Sequence, residues 1–309
     1  MKLNGFRHLF FLLAAALIFS TLPFVSEAQD KQDDEVIKVD TNLVVLNAVV
    51  TDAKGDYVGG LRQKDFQILE DGQPQTINTF GAESTPFAAV VLIDTSGSME
   101  SRMSVARAAA IKFLDGLREE DVAAVYNFDS KVKLVQEFSG SRDLAPTGYD
   151  LKADGMTVLN DAVIEAAKTL SQREEKRRAI IVLSDGADTQ SKASQAKALQ
   201  AALAAGATIY TVDMSAFDER DKYTLARKQS IGALKAFAEK SGGRFVAVSG
   251  GAEMRDAFKQ IVEELNVQYT IGYQPTNTAR DGRYRTIEVK LARPTLSIRT
   301  RKGYNAPKK

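Results

Sequence analysis

Two apolar runs without polar interruption, residues 87–93 (FAAVVLI) and 179–183 (AIIVL), constrain the fold of this chain more than any other feature. A strand with one face in water alternates polar and apolar residues, so an unbroken run needs cover on both faces. Helical spacing follows the first run, with Ala106, Ala109, Ala110, Phe113, Leu114 and Leu117 recurring at three- and four-residue steps across 103–117. Further strands are expected at 122–128, 132–135, 208–212 and 244–248, and further helices at 158–170, 193–205, 231–240 and 253–265. Strands that alternate with helices, mostly without hairpin signals between them, specify a doubly wound, mainly parallel α/β sheet.

The flanks read differently. Residues 43–51, 66–70 and 75–80 have β-type patterning, with a turn at 52–56 and a hairpin signal at Asp71-Gly72. Strand patterns return at 268–273, 283–291 and 295–301. Each flank is too short to bury a core alone. Pairing of the two into one small β-rich domain, with the α/β domain inserted between them, is the economical solution. The expected organisation is a signal peptide at 1–28, a first β-rich flank at 37–82, an α/β domain at 86–265 and a second flank at 266–304. The stretch 29–36 is a polar lead-in.

The signal peptide is read from Lys2, Arg7 and His8, then an apolar stretch at 9–25, then Ser26-Glu27-Ala28 with small residues around a cut after Ala28. An uncleaved anchor is the competing reading. Cleavage removes His8, the one histidine, from a chain that has no Cys and no Trp. What remains excludes Ser-His-Asp and Cys-His catalysis. It also excludes zinc, haem and iron–sulfur sites built on His or Cys, and disulfides. A metal bound here would be a hard one, held by oxygen. With 41 Lys+Arg against 40 Asp+Glu, the charge balance offers no reason to expect nucleic acid or an anionic membrane as partner.

The first apolar run leads into Asp94-Thr95-Ser96-Gly97-Ser98, and the second into Ser184-Asp185-Gly186. Between them, Gly155-Met156-Thr157 places a hydroxyl just before a helix. In open α/β sheets, ligands bind at the carboxyl ends of such strands. Taken singly, each piece reads as turn or helix-cap chemistry, Thr157 and Asp161 included. Taken in order, Asp94-x-Ser96-x-Ser98, Thr157 and Asp185 resemble the metal-ion-dependent adhesion site of von Willebrand factor type A domains, over 86–265. The flanks, with Gly-Leu-x-x-x-Asp-Phe, Glu-Asp-Gly-Gln and a closing Arg-Lys-Gly-Tyr, are similar to exported type A-related proteins of acidobacteria. The resemblance implies a divalent cation, Mg2+ foremost with Mn2+ or Ca2+ as alternatives, at Asp94, Ser96, Ser98, Thr157 and Asp185. It implies a protein partner that supplies an Asp or Glu carboxylate; with no His or Cys left for acid–base or nucleophilic work, no catalysis is expected.

Two features depart from that pattern: Met156 where many relatives have glycine, and the charged segment 213–227, which has no assignable role. The run 173–178 (REEKRR) reads as solvated, 299–302 (RTRK) as a basic tail, and Tyr269, Tyr273 and Tyr284 as sheet packing. Two other functions compete with adhesion: metal-assisted hydrolysis by a carboxylate base, and binding through the β-rich domain with the cation only tying loops together. The expected location is secreted or periplasmic.

Overall fold

A computed structural model describes residues 43–81, 85–140, 156–215 and 224–308. The signal-peptide and lead-in expectations, and Gly155, lie outside the described residues.

The first flank supplies β1 (Val44–Thr51), β2 (Phe66–Glu70), β3 (Gln73–Gln75) and β4 (Ile77–Gly81). The central part follows as β5 (Phe87–Asp94), α1 (Met103–Asp115), β6 (Val122–Phe128), β7 (Val132–Ser139), α2 (Leu159–Ser171), β8 (Arg177–Ser184) and α3 (Gln195–Ala204). It continues with β9 (Ala207–Asp213), α4 (Leu225–Ser241), β10 (Phe245–Ala247) and α5 (Gly251–Val267). The second flank adds β11 (Tyr269–Tyr273), β12 (Tyr284–Leu291), β13 (Ser297–Arg299) and β14 (Gly303–Asn305).

The central sheet has the order β10-β9-β8-β5-β6-β7 and is parallel except for β7. Every residue of β5 is buried, as its unbroken apolar run requires. Alternate β5 residues face opposite ways. Phe87, Ala89, Val91 and Ile93 join a core with Phe113 of α1 and Phe258 of α5, whose rings meet edge to face at 6.2 Å. Ala88, Val90 and Leu92 join a second core built with α2, α3 and α4. With β6 on one side and β8 on the other, β5 marks the place where strand order reverses, and its carboxyl end opens a crevice there.

The flanks pair with each other, as their sizes require. One sheet runs β13-β1-β11-β4 and the other β14-β12-β2-β3, both antiparallel, around a shared core that includes Leu46, Ile68, Tyr269, Tyr273 and Ile287. The expected single strand at 75–80 is corrected: it breaks at Thr76, β3 pairing with β2 while β4 crosses to lie beside β11. A chain that changes sheets at a sandwich corner must interrupt its ladder there.

The seam between sandwich and α/β part is polar. Asn47 Nδ2 donates to the Gly206 carbonyl at 3.0 Å and to Thr208 Oγ1 at 3.1 Å, and Thr300 donates to the Asn47 carbonyl at 2.8 Å. Near the end of α5, Glu264 lies between Arg299 (2.5 Å) and Arg244 (3.2 Å). The stretch 299–302 is therefore not a solvated tail, because Arg299 and Arg301 are drawn in to partners on the α/β part. Likewise 173–178 is not wholly solvated: Arg177 is fully buried at the start of β8, and Arg178 donates to the Ala205 carbonyl at 2.9 Å. Tyr269 and Tyr273 are buried as expected for packing, whereas Tyr284 is exposed. Among the described residues, no helix is long and apolar enough to cross a membrane.

Candidate metal centre

Asp94 is the last residue of β5 and is fully buried. Its Oδ1 accepts the Ser96 amide at 2.9 Å and its Oδ2 the Ser184 hydroxyl at 2.5 Å. Burial first, and the charge of Asp185 second, raise the Asp94 carboxyl to about 7, against the opposing hydrogen bonds from Ser184 and Ser96. Ser96 Oγ and Ser98 Oγ stand 3.2 Å apart. Asp185 follows β8 directly, and its Oδ1 accepts the Ala187 amide at 3.2 Å.

Thr157 is buried on the same edge of the sheet. Its amide donates to Thr189 Oγ1 at 2.8 Å, and its carbonyl accepts the Thr189 and Gln190 amides from the loop after Asp185. The next residue, Val158, donates its amide to the Asp129 carbonyl at 3.0 Å. The structure thus brings Asp94, Ser96, Ser98 and Asp185 together and anchors Thr157 between the neighbouring loops.

Capping does not occupy these hydroxyls. Ser96 precedes the 3-10 turn Gly97–Arg102 in the cap position but makes no side-chain cap bond, and the cap position of α2 is Val158 rather than Thr157. Asp161 does not cap its own helix either. It accepts the Lys192 and Ala193 amides, both at 3.0 Å, and so cinches the loop that follows Asp185 onto α2.

Four neighbouring parallel strands, β6, β5, β8 and β9, end on or directly before an aspartate: Asp129, Asp94, Asp185 and Asp213. The outer two have tethered cations. Lys133 Nζ lies 3.1 Å from Asp129 Oδ2, and Arg227 Nη2 lies 2.7 Å from Asp213 Oδ2. Burial opposes the Asp129 charge, but the Lys131 amide and the Lys133 ammonium outweigh it and hold that carboxyl below its usual value. The inner two, Asp94 and Asp185, have no ion pair among the described residues. Two uncompensated carboxylates beside two close hydroxyls form a hard-oxygen donor set that fits a small divalent cation. Nor do three carboxylates converge anywhere among the described residues, so ligation here would depend on the hydroxyls.

The sequence by itself assigns no role to Ser184, Asp129, Asp213 or Arg227. Segment 213–227, which had no assigned role, contributes the last two. The expected helix at 231–240 in fact starts at Leu225, because Thr224 caps it by accepting the Arg227 amide at 3.1 Å. Its first turns are polar and exposed and carry no apolar periodicity, so Thr224 was the one available signal.

Residues 89–187 match the family model described as the von Willebrand factor type A domain. The chain carries a type A domain. No curated protein matches the chain. Among solved structures, it is similar to an aerotolerance-related membrane protein from Bacteroides fragilis at 18% identity and TM-score 0.45, covering 58% of this chain and 98% of that one. It is also similar to the vWF domain of the type V pili tip protein Mfa5 from Porphyromonas gingivalis, at 14% identity and TM-score 0.48, over 59% and 95% of the two chains. A third likeness is to the pilus adhesin SpaC from Lactobacillus rhamnosus GG, at 11% and TM-score 0.45, over 83% of this chain and 49% of that one.

The type A domain's second acidic turn depends on a glycine. Gly186 has φ +81°, and a Cβ there would lie 2.5 Å from the Ser230 carbonyl of α4. Neither the left-handed conformation nor the backbone contact can be relieved cheaply. Gly186→Ala should therefore lower stability by more than about 2 kcal/mol in urea unfolding. A loss below 0.5 kcal/mol would mean that α4 does not press on this turn.

Proposed function

We propose that this is an exported, non-catalytic protein-binding module whose type A domain holds a divalent cation at Asp94, Ser96, Ser98, Thr157 and Asp185. The observation that carries the reading is the inner aspartate pair, which has no counter-cation among the described residues while both outer aspartates have one. When bound, Mg2+, or Mn2+ or Ca2+ in its place, supplies an electrophilic position that an Asp or Glu carboxylate of a partner protein can fill.

The chain's own groups prepare that position. Ser184 and the Ser96 amide aim the Asp94 carboxylate. The hydroxyls of Ser96 and Ser98 contribute oxygen without charge, so two carboxylates balance a divalent ion and do not repel an incoming third. Export is read from the basic, apolar and small-residue sequence of residues 1–28. The absence of catalysis is read from residues 29–309, which offer neither imidazole nor thiol.

The test is calorimetric titration of Mg2+ and Mn2+ into wild type and into Ser98→Ala, whose side chain is exposed and whose loss should leave the fold unchanged. One-site binding, weakened at least about tenfold in the variant, is expected for loss of one ligand oxygen. Equal binding in both proteins would remove Ser98 from the site. Divalent-dependent capture of an acidic partner, abolished by EDTA, would then establish the adhesive role.

A further inference from the structure

The metal centre has a wall that donates no ligand to it, and that wall is the first two turns of α4. Resting on the divalent-cation reading above, we propose that Arg227 is a positioning residue for the centre: a guanidinium clamp, set by Asp213, that fixes the Asp185 turn so that its carboxylate stays directed to Asp94.

Arg227 uses two nitrogens on two groups. Nη2 meets Asp213 Oδ2 at 2.7 Å, and Nη1 donates to the Asp185 carbonyl at 3.2 Å. Because the guanidinium is planar and rigid, a bond at one arm sets the direction of the other. Asp213 is set in turn, since the Ser215 amide (3.0 Å) and the Ser215 hydroxyl both donate to its Oδ1. The Asp213 side chain is 1% exposed and that of Arg227 11%, so neither is free to rotate into water.

Three residues on from Arg227, on the same side of α4, the Ser230 carbonyl packs against Gly186. One helix face thus holds the Asp185 carbonyl through Arg227 and the next residue through Ser230. With that peptide fixed, and with the Ala187 amide on Asp185 Oδ1, the direction of the Asp185 carboxylate is no longer free.

The pair is also neutral, which separates positioning from charge. Arg227→Met leaves Asp213 as an uncompensated anion near the centre. If the pair acted only through its field, that extra negative charge would tighten cation binding. If Arg227 acts as a clamp, binding weakens. The double variant Asp213→Asn/Arg227→Met keeps the net charge of wild type and removes only the clamp.

The experiment is Mn2+ titration followed by electron paramagnetic resonance in full-length protein, for wild type, Arg227→Met, the double variant and Arg227→Lys. Far-UV circular dichroism in EDTA checks the fold. The expected result is Mn2+ binding about 10–100-fold weaker in the double variant, the range for residues that orient metal ligands, with an altered spectrum of the bound ion. Arg227→Met should weaken in the same direction. Arg227→Lys keeps the charge opposite Asp213 but loses the fork, so it should fall between, and it carries the test if the methionine variants do not fold. Wild-type affinity and spectrum in the double variant would overturn the clamp, as would tighter binding in Arg227→Met. A wild type that takes up no Mn2+ overturns the metal centre itself, and the clamp with it.

Discussion

In EDTA, the protein should unfold about 5–10 °C lower at pH 8 than at pH 5, and Asp94→Asn should abolish most of that difference. Asp94 sits fully buried beside Asp185, with its carboxyl raised from 3.8 to about 7. The folded state therefore holds this proton more tightly than the unfolded chain does. The contribution of this one carboxyl to stability is greatest below pH 4, falls as pH rises from about 4 to about 7, and is level above that. Between pH 5 and pH 8 roughly two pH units of that fall, at 1.36 kcal/mol each, set the scale, on the order of 3 kcal/mol.

Divalent cations should reverse the effect selectively. At pH 8 the carboxylate is charged and available, and saturating Mg2+ or Mn2+ should raise the unfolding midpoint; at pH 5 the proton competes and the gain should be small. A midpoint that is level from pH 5 to pH 8 without metal, and unmoved by metal at pH 8, would sink both the buried-carboxylate account and the metal reading.

The second large effect is expected at the seam between the two parts of the molecule. The Glu264 side chain is 1% exposed, whereas those of Arg244 and Arg299 are each 35% exposed. Burial works against the Arg299 charge, yet Glu264 outweighs it and holds that guanidinium's pKa above its usual value. The cluster is therefore asymmetric: an arginine deprived of its partner can turn toward water, but the carboxylate cannot. Replacing both arginines, as Arg244→Met/Arg299→Met, should cost about 3–5 kcal/mol, the range for leaving a buried charge unpaired. Adding Glu264→Gln to that variant should recover most of the loss, because it removes the stranded charge. Urea unfolding of the three proteins reads the cycle. If Glu264→Gln gives no recovery, the seam is held by packing rather than by this charge cluster.

The central architecture was legible because burial on both sheet faces leaves an unmistakable mark: uninterrupted apolar strands at 87–93 and 179–183 with helical spacing between. The polar cluster of Asp94, Ser96, Ser98 and Asp185 was legible for a related reason, since the end of a buried strand is where such a cluster has no packing purpose. What escaped was set by partners distant in sequence. Nothing local distinguishes Arg299 and Arg301 from a soluble tail, because the groups that hold them are Glu264, Gly242 and Leu203. Nothing local marks Thr76 as the point where a strand changes sheets, because the reason is the position of β11. Arg227 was hidden by an exposed, non-periodic helix start whose role is set by the Asp185 carbonyl 42 residues earlier.

The split sandwich has a consequence for the order in which the chain can acquire structure. Tyr273 and Glu70, joined in its core by a 2.7 Å hydrogen bond, are 203 positions apart. Strands β1, β2 and β4 have their main pairing partners in β11 and β12, which emerge only after the whole inserted domain. During synthesis the first flank therefore waits with no more than its local β2–β3 pairing, Leu46 and Ile68 uncovered, while the inserted part can collapse around contacts nearer in sequence. Completion of the type A domain then brings β11 back beside β1, through Gln268 alone between α5 and β11. Sandwich closure becomes a late, slow step gated by the insert, and a nascent chain stopped before residue 269 carries open strand edges poised to associate with other chains.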